Sequence, residues 1–418
     1  MAENSHDHEH SRTDVLIAGG GHVGLALALA LRRASPRLGV TLVDATPPGA
    51  EAKDGRTSAV AAAGRRMLEQ LGVWTEIAAA AQPINEMIVT DSRTRDAVRP
   101  VFLTFADAGA GDGPFAHMVM NRSMVGALRR AAVEAGAVIL APDSVTNFVV
   151  APGTVTARLA GGGAIAARLV VAADGVRSRL RDVAGIATIV TSYGQSGIVA
   201  TVGHGKPHHG RAEEHFLPGG PFAILPLAPD AAGNRSSLVW TEPRAIAERL
   251  VAGDPLIFQV ELERRFGHRL GKLRVLDTPR AFPLDLTLAR SFVAPRFALA
   301  GDAAHGIHPI AGQGLNLGFR DVAALAETIV EAERLGLDIG ALAVLRNYER
   351  WRRFDTLQMG LTTDVLNRLF SNDNAALRLV RDVGLGLVDR MPGLKRLFMR
   401  EAAGEDGELP RLLKGEAI

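Results

Sequence analysis

The stretch Asp14-Val-Leu-Ile-Ala-Gly-Gly-Gly-His-Val-Gly24 decides how this chain begins to fold. Its first half is a short apolar run that stops at glycines, which predicts a buried strand ending in a tight turn. From His22 to Ala34 the sequence is rich in Ala and Leu and predicts a helix. Val40-Thr-Leu-Val43 predicts a second strand, ending at Asp44. Strand, helix and strand over about 30 residues make a parallel βαβ unit. The spacing Gly19-x-Gly21-x-x-Gly24 has a physical use at each position. Gly19 permits the turn, Gly21 lets the backbone approach a pyrophosphate, and Gly24 lets helix and strand pack closely. Asp44 lies twenty residues beyond Gly24, where a carboxylate can accept hydrogen bonds from an adenosine ribose. The pattern predicts a dinucleotide site without separating NAD from FAD.

A second stretch separates them. Phe297-Ala-Leu-Ala-Gly301-Asp302 is an apolar strand running into a Gly-Asp turn, and Gly312-Gln313-Gly314-Leu-Asn316 opens a long helix. Asp302 is placed to bind sugar-alcohol hydroxyls such as those of a ribityl chain. The N–H groups at the helix start favour the negative charge of a reduced flavin. FAD is therefore the expected cofactor. The plainer account is an ordinary Gly-rich loop with an Asp cap.

The bulk numbers exclude much else. At 418 residues and 47% hydrophobic, the chain can bury a large core and is long for one domain. Its 47 Lys+Arg against 45 Asp+Glu leave a net charge of +2, so no global field draws it to nucleic acid. With no cysteine there is no disulfide, Fe–S cluster or thiol catalysis. The N-terminus shows no signal-peptide pattern, which predicts a cytoplasmic location. His305 and His308 lie close together but precede Pro309, and are expected to shape a loop rather than to hold a metal.

Along the chain, Ser58–Leu71 predicts a helix with Gly72 at its end, and Asn121 a cap for a helix from Arg122 to Ala135. Strands are expected at Val138–Leu140, Val145–Val150, Val155–Leu159 and Leu169–Ala173. Gly219–Pro226 and Ser236–Thr241 predict strands of one sheet, covered by helices near Pro243–Val251 and Leu256–Phe266. Beyond Asp302 the pattern is mostly helical. The predicted class is α/β: a Rossmann-like nucleotide domain (12–78, 106–186 and 283–335), an interleaved β-rich substrate domain (79–105 and 187–282) and a C-terminal helical region (336–418).

Three of these motifs carry a family resemblance. Gly19-x-Gly21-x-x-Gly24, Ala173-Asp-Gly-Val-Arg-Ser178 and Ala300-Gly-Asp-Ala-Ala-His305 resemble the fingerprints of the single-component flavin aromatic hydroxylases, which have the p-hydroxybenzoate hydroxylase fold. Asp54–Ser58, Gly220–Leu227, His308–Gly318 and Thr363–Phe370 narrow the resemblance to the hydroxylases of ubiquinone biosynthesis. It runs from about Val15 to Gly404. Asp44 departs mildly from the family, in which Glu is common at that place.

The resemblance implies that Gly19, Gly21 and Gly24 hold the FAD pyrophosphate, Asp44 the adenosine ribose and Asp302 with Gly301 the ribityl chain. Pro309, Gly312 and Gly314 would line the flavin ring, beside Gln313 and Asn316. Arg56 and Arg122 match two family arginines near FAD, although a surface ion pair also suits such residues. Asp174 matches the acid of a motif linked to FAD and NAD(P)H, and also suits a cap for a helix beginning near Val176. NAD(P)H would act as a transient reductant, and O2 and a polyprenylated aromatic ring as substrates, through a flavin C4a-hydroperoxide. No catalytic base is evident. Tyr193 is a candidate for approaching substrate, with a core or surface role the plainer account. Arg390–Arg400 mixes four basic residues with apolar ones and no acid. It suits peripheral contact with the inner membrane or a biosynthetic complex, or a plain amphipathic helix. Two rival functions share these features: hydroxylation of a small soluble phenol, and a non-catalytic FAD-binding subunit.

Overall fold

The computed structural model describes residues 11–50, 54–91, 101–106, 113–307, 313–353, 355–356, 404 and 407–418. Five strands form a parallel sheet in the order Phe297–Leu299, Leu169–Ala172, Val15–Ala18, Val40–Val43 and Val138–Leu140, with Val293–Ala294 antiparallel on one edge. Val15 stands level with both Leu169 and Val40. Every residue of the three central strands is buried, as a parallel sheet covered on both faces requires. The first helix spans His22–Ala34 as predicted. It is buried continuously from Gly24 to Leu31 because it lies against two other helices, Asn121–Glu134 and Gln313–Arg334.

A second sheet of nine strands stands apart from the first. Its main path runs His305–Gly306, Arg280–Ala289, Thr188–His204, Gly233–Pro243, Gly220–Asp230, Arg211–Leu217, Glu86–Asp91 and Val101–Ala106, and Leu273–Val275 also pairs with Thr188–His204. The strand Arg280–Ala289 continues across the expected domain boundary at 282. Alternation along these strands gives the sheet two faces. Ile198, Phe222, Leu238 and Trp240 point into a core closed by Phe258, Leu262 and Phe266 of the Pro255–Phe266 helix. Their neighbours Val199, Ala223, Val239 and Thr241 point the other way, into a cavity.

Several local expectations are corrected. The helix expected from Ser58 begins only at Ala62, because Thr57–Ala61 is a strand pairing antiparallel with Ala116–Met120. Strand pairing supplied by distant chain overrides the local Ala-rich preference. Gly72 does follow that helix's end, at φ +64°. Asn121 is the first helical residue and not the cap, which is Met120. Its Oδ1 instead accepts a hydrogen bond from Ser58 Oγ at 2.8 Å. Asp174 does not cap the helix after it: that helix is Arg179–Val183, and Ser178 Oγ accepts from the Arg181 N–H at 3.1 Å. The strand Ala164–Ala167 was not expected. Residues 342–353 are helical, and Thr363–Phe370 and Arg390–Arg400 lie outside the described residues. Among the described residues no helix is long and apolar enough to cross a membrane.

Candidate active site

A cavity of about 720 Å³ lies between the two sheets. One wall is formed at the carboxyl ends of the parallel strands: Gly21, His22 and Val23 after Val15–Ala18, Ala173 and Gly175 after Leu169–Ala172, and Ala300 and Asp302 after Phe297–Leu299. Open α/β sheets bind ligands at that edge. The opposite wall is the inner face of the nine-stranded sheet.

The glycines divide into two kinds. A Cβ on Gly19, which has φ +113°, would collide with the Ala173 carbonyl, and one on Gly24 would collide with the Gly19 carbonyl. These two let strand, turn and helix close up. Gly21 and Gly314, by contrast, have nothing within 4 Å of an added Cβ, and both line the cavity at helix starts. The chain thus leaves open space beside N–H groups at both places, which fits the pyrophosphate and ring of FAD.

Asp302 lies in a 3-10 turn, Gly301–Ala303, and faces the cavity. Its side chain is open to the cavity, yet the protein packed around it strips enough water to raise its pKa above the ordinary value; nearby Asp321 adds to this, while His305 and Arg56 oppose it. Gly301 has φ +64° and donates its N–H to Asp321 Oδ2 at 2.8 Å. Asp321, from the Gln313–Arg334 helix, also meets His305 Nε2 at 2.5 Å and accepts from Arg352 Nε at 2.8 Å. All three side chains are buried. Burial alone would raise the Asp321 carboxyl, but His305 and Arg352 outweigh it and hold the pKa below its ordinary value. This network fixes the turn that presents Asp302. Of its other members, Gly301 is expected at the ribityl chain and His305 in the loop, whereas Asp321 and Arg352 are not anticipated, although an acid at position 321 within an apolar helical stretch is a sequence signal for a buried partner.

Asp44 is buried, accepts from Arg129 Nη2 at 2.6 Å and from the Thr46 N–H at 3.1 Å, and lies against Gly20, where a Cβ would collide with it. Arg56 pairs with Asp54 at 2.9 Å and also lines the cavity. Arg122 is exposed on the first turn of its helix, and Asp174 is exposed between the cavity residues Ala173 and Gly175. Asn316 clamps the helix start to the Thr57–Ala61 strand: its Nδ2 donates to the Ala59 carbonyl at 3.0 Å, and its Oδ1 accepts from the Ala61 N–H at 2.9 Å. Gln313 begins the helix. Pro309, Gly312 and His308 lie outside the described residues. Tyr193 is not among the described cavity-lining residues.

Two cavity groups were missed. His22 opens the first helix; burial, with Arg56 beside it, lowers its pKa to about 4, so it is neutral at pH 7. Glu214 stands on the sheet wall, 4% exposed, and burial pushes its pKa up to about 7.

Comparison with known proteins agrees with this geometry. Residues 12–353 match the family described as FAD binding domain. The ubiquinone hydroxylase UbiL of Rhodospirillum rubrum is 48% identical over 409 residues, covering 96% of this chain and 92% of its own length. The 3-demethoxyubiquinol 3-hydroxylase of Escherichia coli is 35% identical over 399 residues, covering 94% and 98%. Among solved structures, p-nitrophenol 4-monooxygenase PnpA of Pseudomonas putida shares the fold at a TM-score of 0.77 and 20% identity, over 96% of this chain and all of its own.

Proposed function

Because the chain belongs to the FAD-dependent hydroxylases of ubiquinone biosynthesis, we propose that it hydroxylates the ring of a polyprenylated phenol or quinol intermediate, with NAD(P)H and O2. The observation that carries the reading is the two-sided cavity. Its parallel-sheet wall offers helix starts and Asp302, which suit a flavin. Its other wall offers Gly197, Val199, Ala212, Ala223 and Val239, small and apolar, which suit an aromatic ring with a hydrocarbon substituent.

When bound, the flavin supplies the redox chemistry: electrons from NAD(P)H and one oxygen atom from O2. The chain's residues supply the rest. The turn at Gly21 accommodates the pyrophosphate, and Asp302 accepts hydrogen bonds from the ribityl hydroxyls. The helix start at Gly314 favours negative charge on the reduced ring. The apolar sheet wall holds the substrate ring and keeps water from the reacting atoms. A polyprenyl chain dissolves in a bilayer, so the reading includes peripheral membrane contact. The composition of Arg390–Arg400, four basic residues among apolar ones, supports that segment as the contact.

The test is substrate-dependent NAD(P)H oxidation with mass analysis of the product, comparing a short-prenyl phenol with simple hydroxybenzoates. Hydroxylation of the prenyl phenol is expected. Preference for the hydroxybenzoates would replace this reading with a small-phenol hydroxylase, and bound FAD without turnover would favour a non-catalytic subunit.

A further inference from the structure

The cavity contains a carboxyl group that the FAD site does not use. We propose that Glu214 is the catalytic residue that accepts the hydrogen bond of the substrate's ring hydroxyl and takes its proton during hydroxylation. This rests on the phenol-hydroxylase reading above.

Strand register puts the side chain in place. On Arg211–Leu217, Ala212 and Glu214 line the cavity, while Glu213 and His215 fall on the opposite face, where Glu213 pairs with Arg269. Across the sheet Glu214 stands level with Ala223 on one side and Val89 on the other. Ala223 is level with Val239, and Val239 with Val199. Glu214 is therefore the one ionisable group in a small apolar bowl among the described residues. It is 4% exposed, and no hydrogen bond or charge from a described side chain contributes to its pKa shift. A buried carboxyl without a partner is costly, and such groups persist where a ligand supplies the partner.

Its electrostatics suit the task. The other titratable groups on the cavity wall are His22, Arg56 and Asp302, and none of them contributes to its shift, which comes from burial alone. Met87, Met118, Ala223 and Leu225, which share the cavity wall with it, carry no charge. A base with a pKa of about 7 is half ionised at neutral pH. The step balances as follows. The phenol O–H bond breaks and its proton passes to the carboxylate. The electron pair left on oxygen feeds the ring carbon, which bonds to one oxygen atom as the O–O bond of O2, reduced by the two electrons of NAD(P)H, breaks; the other oxygen leaves with the bonding pair and is protonated to water. When the ring regains aromaticity its C–H proton leaves to solvent, and Glu214 returns its proton to the original ring oxygen.

The experiment uses the full-length FAD-loaded protein with 2-geranylphenol and NAD(P)H, from about pH 5.5 to about pH 9. Wild-type kcat/KM should rise with pH through about 7. Glu214→Gln, nearly isosteric, should lower kcat by roughly 10²–10⁴-fold, with a smaller change in KM, and abolish the rise. Glu214→Asp should restore the pH dependence at a reduced rate. FAD affinity should stay at the wild-type value in both. A Gln variant with wild-type kcat and pH profile overturns the proposal while leaving the hydroxylase reading intact. So does a wild-type profile flat through pH 7, which requires no variant. If wild type hydroxylates no phenol, the reading itself fails and this proposal falls with it.

Discussion

Asp302 and Glu214 are carboxyls of one cavity with different surroundings, and their variants should fail differently. Asp302 sits at a strand end beside two helix starts, where a ligand's hydroxyls would complete its hydrogen bonds. Asp302→Ala should leave a folded protein whose FAD affinity falls about 10- to 100-fold, the loss of about 1.5–3 kcal/mol of charged hydrogen bonding. Full yellow occupancy after dialysis would refute its role. Glu214 should show itself in stability. Its folded pKa, about 7, is raised above the ordinary 4.5, so between those values the folded state binds more protons than the unfolded. The associated stability is fully present below pH 4.5 and is lost as pH rises through 7. Up to about 3 kcal/mol is at stake. Urea unfolding of the apoprotein at pH 5.5 and 8, roughly bracketing the folded pKa, should show this decline in wild type. Glu214→Gln should show less of it and be the more stable at the higher pH. Equal pH slopes would mean that Glu214 is not buried without a partner. Asp302 was legible in the sequence because glycines and a strand end surround it. Glu214 was not, because the doublet Glu213-Glu214 does not reveal which carboxyl faces inward until the strand's register is known.

At the scale of elements, the Gln313–Arg334 helix does three jobs from its first three turns. Gly314 leaves open space at the cavity, Asn316 holds the Thr57–Ala61 strand, and Asp321 fixes the Gly301 turn. Asp321→Ala would leave the buried Arg352 with Asp355 alone as its carboxylate partner and strand His305, so it should cost about 3 kcal/mol and lower the unfolding midpoint well below that of Asp302→Ala. It should also weaken FAD binding, because the Gly301 N–H loses its acceptor. Thermal unfolding with and without added FAD checks both effects. An unchanged midpoint would show that the network contributes little. The sequence disclosed this helix and the Gly-Asp turn separately, through periodicity and punctuation. It did not disclose their connection, since a buried ion network joins residues 301, 305, 321 and 352 that no local period relates. The strand Thr57–Ala61 was hidden for a similar reason. Its residues suit a helix locally, and only pairing with Ala116–Met120 makes them extended.

At the scale of the whole molecule, two sheets of different character face one cavity. The parallel sheet was readable early, because its strand–turn–helix units are local and each carries its glycines. The nine-stranded sheet was readable only in part. Its strands come from 86–106, 188–243, 273–289 and 305–306, and their order depends on long-range pairing. That division of labour is testable by filling the sheet wall without touching the cofactor wall. Ala223 lies on the inner face, and its neighbours in register, Glu214 and Val239, also line the cavity. Ala223→Phe should therefore project a ring into the space assigned to substrate. KM for 2-geranylphenol should rise at least about tenfold, as expected when an occupied pocket costs more than about 1.4 kcal/mol of binding. FAD affinity, measured by fluorescence titration, should remain at the wild-type value. Asp302→Ala should give the opposite pair of results. If Ala223→Phe weakens FAD and spares the phenol, the two walls have exchanged roles, and both the assignment of substrate to the sheet and the base role of Glu214 fall together.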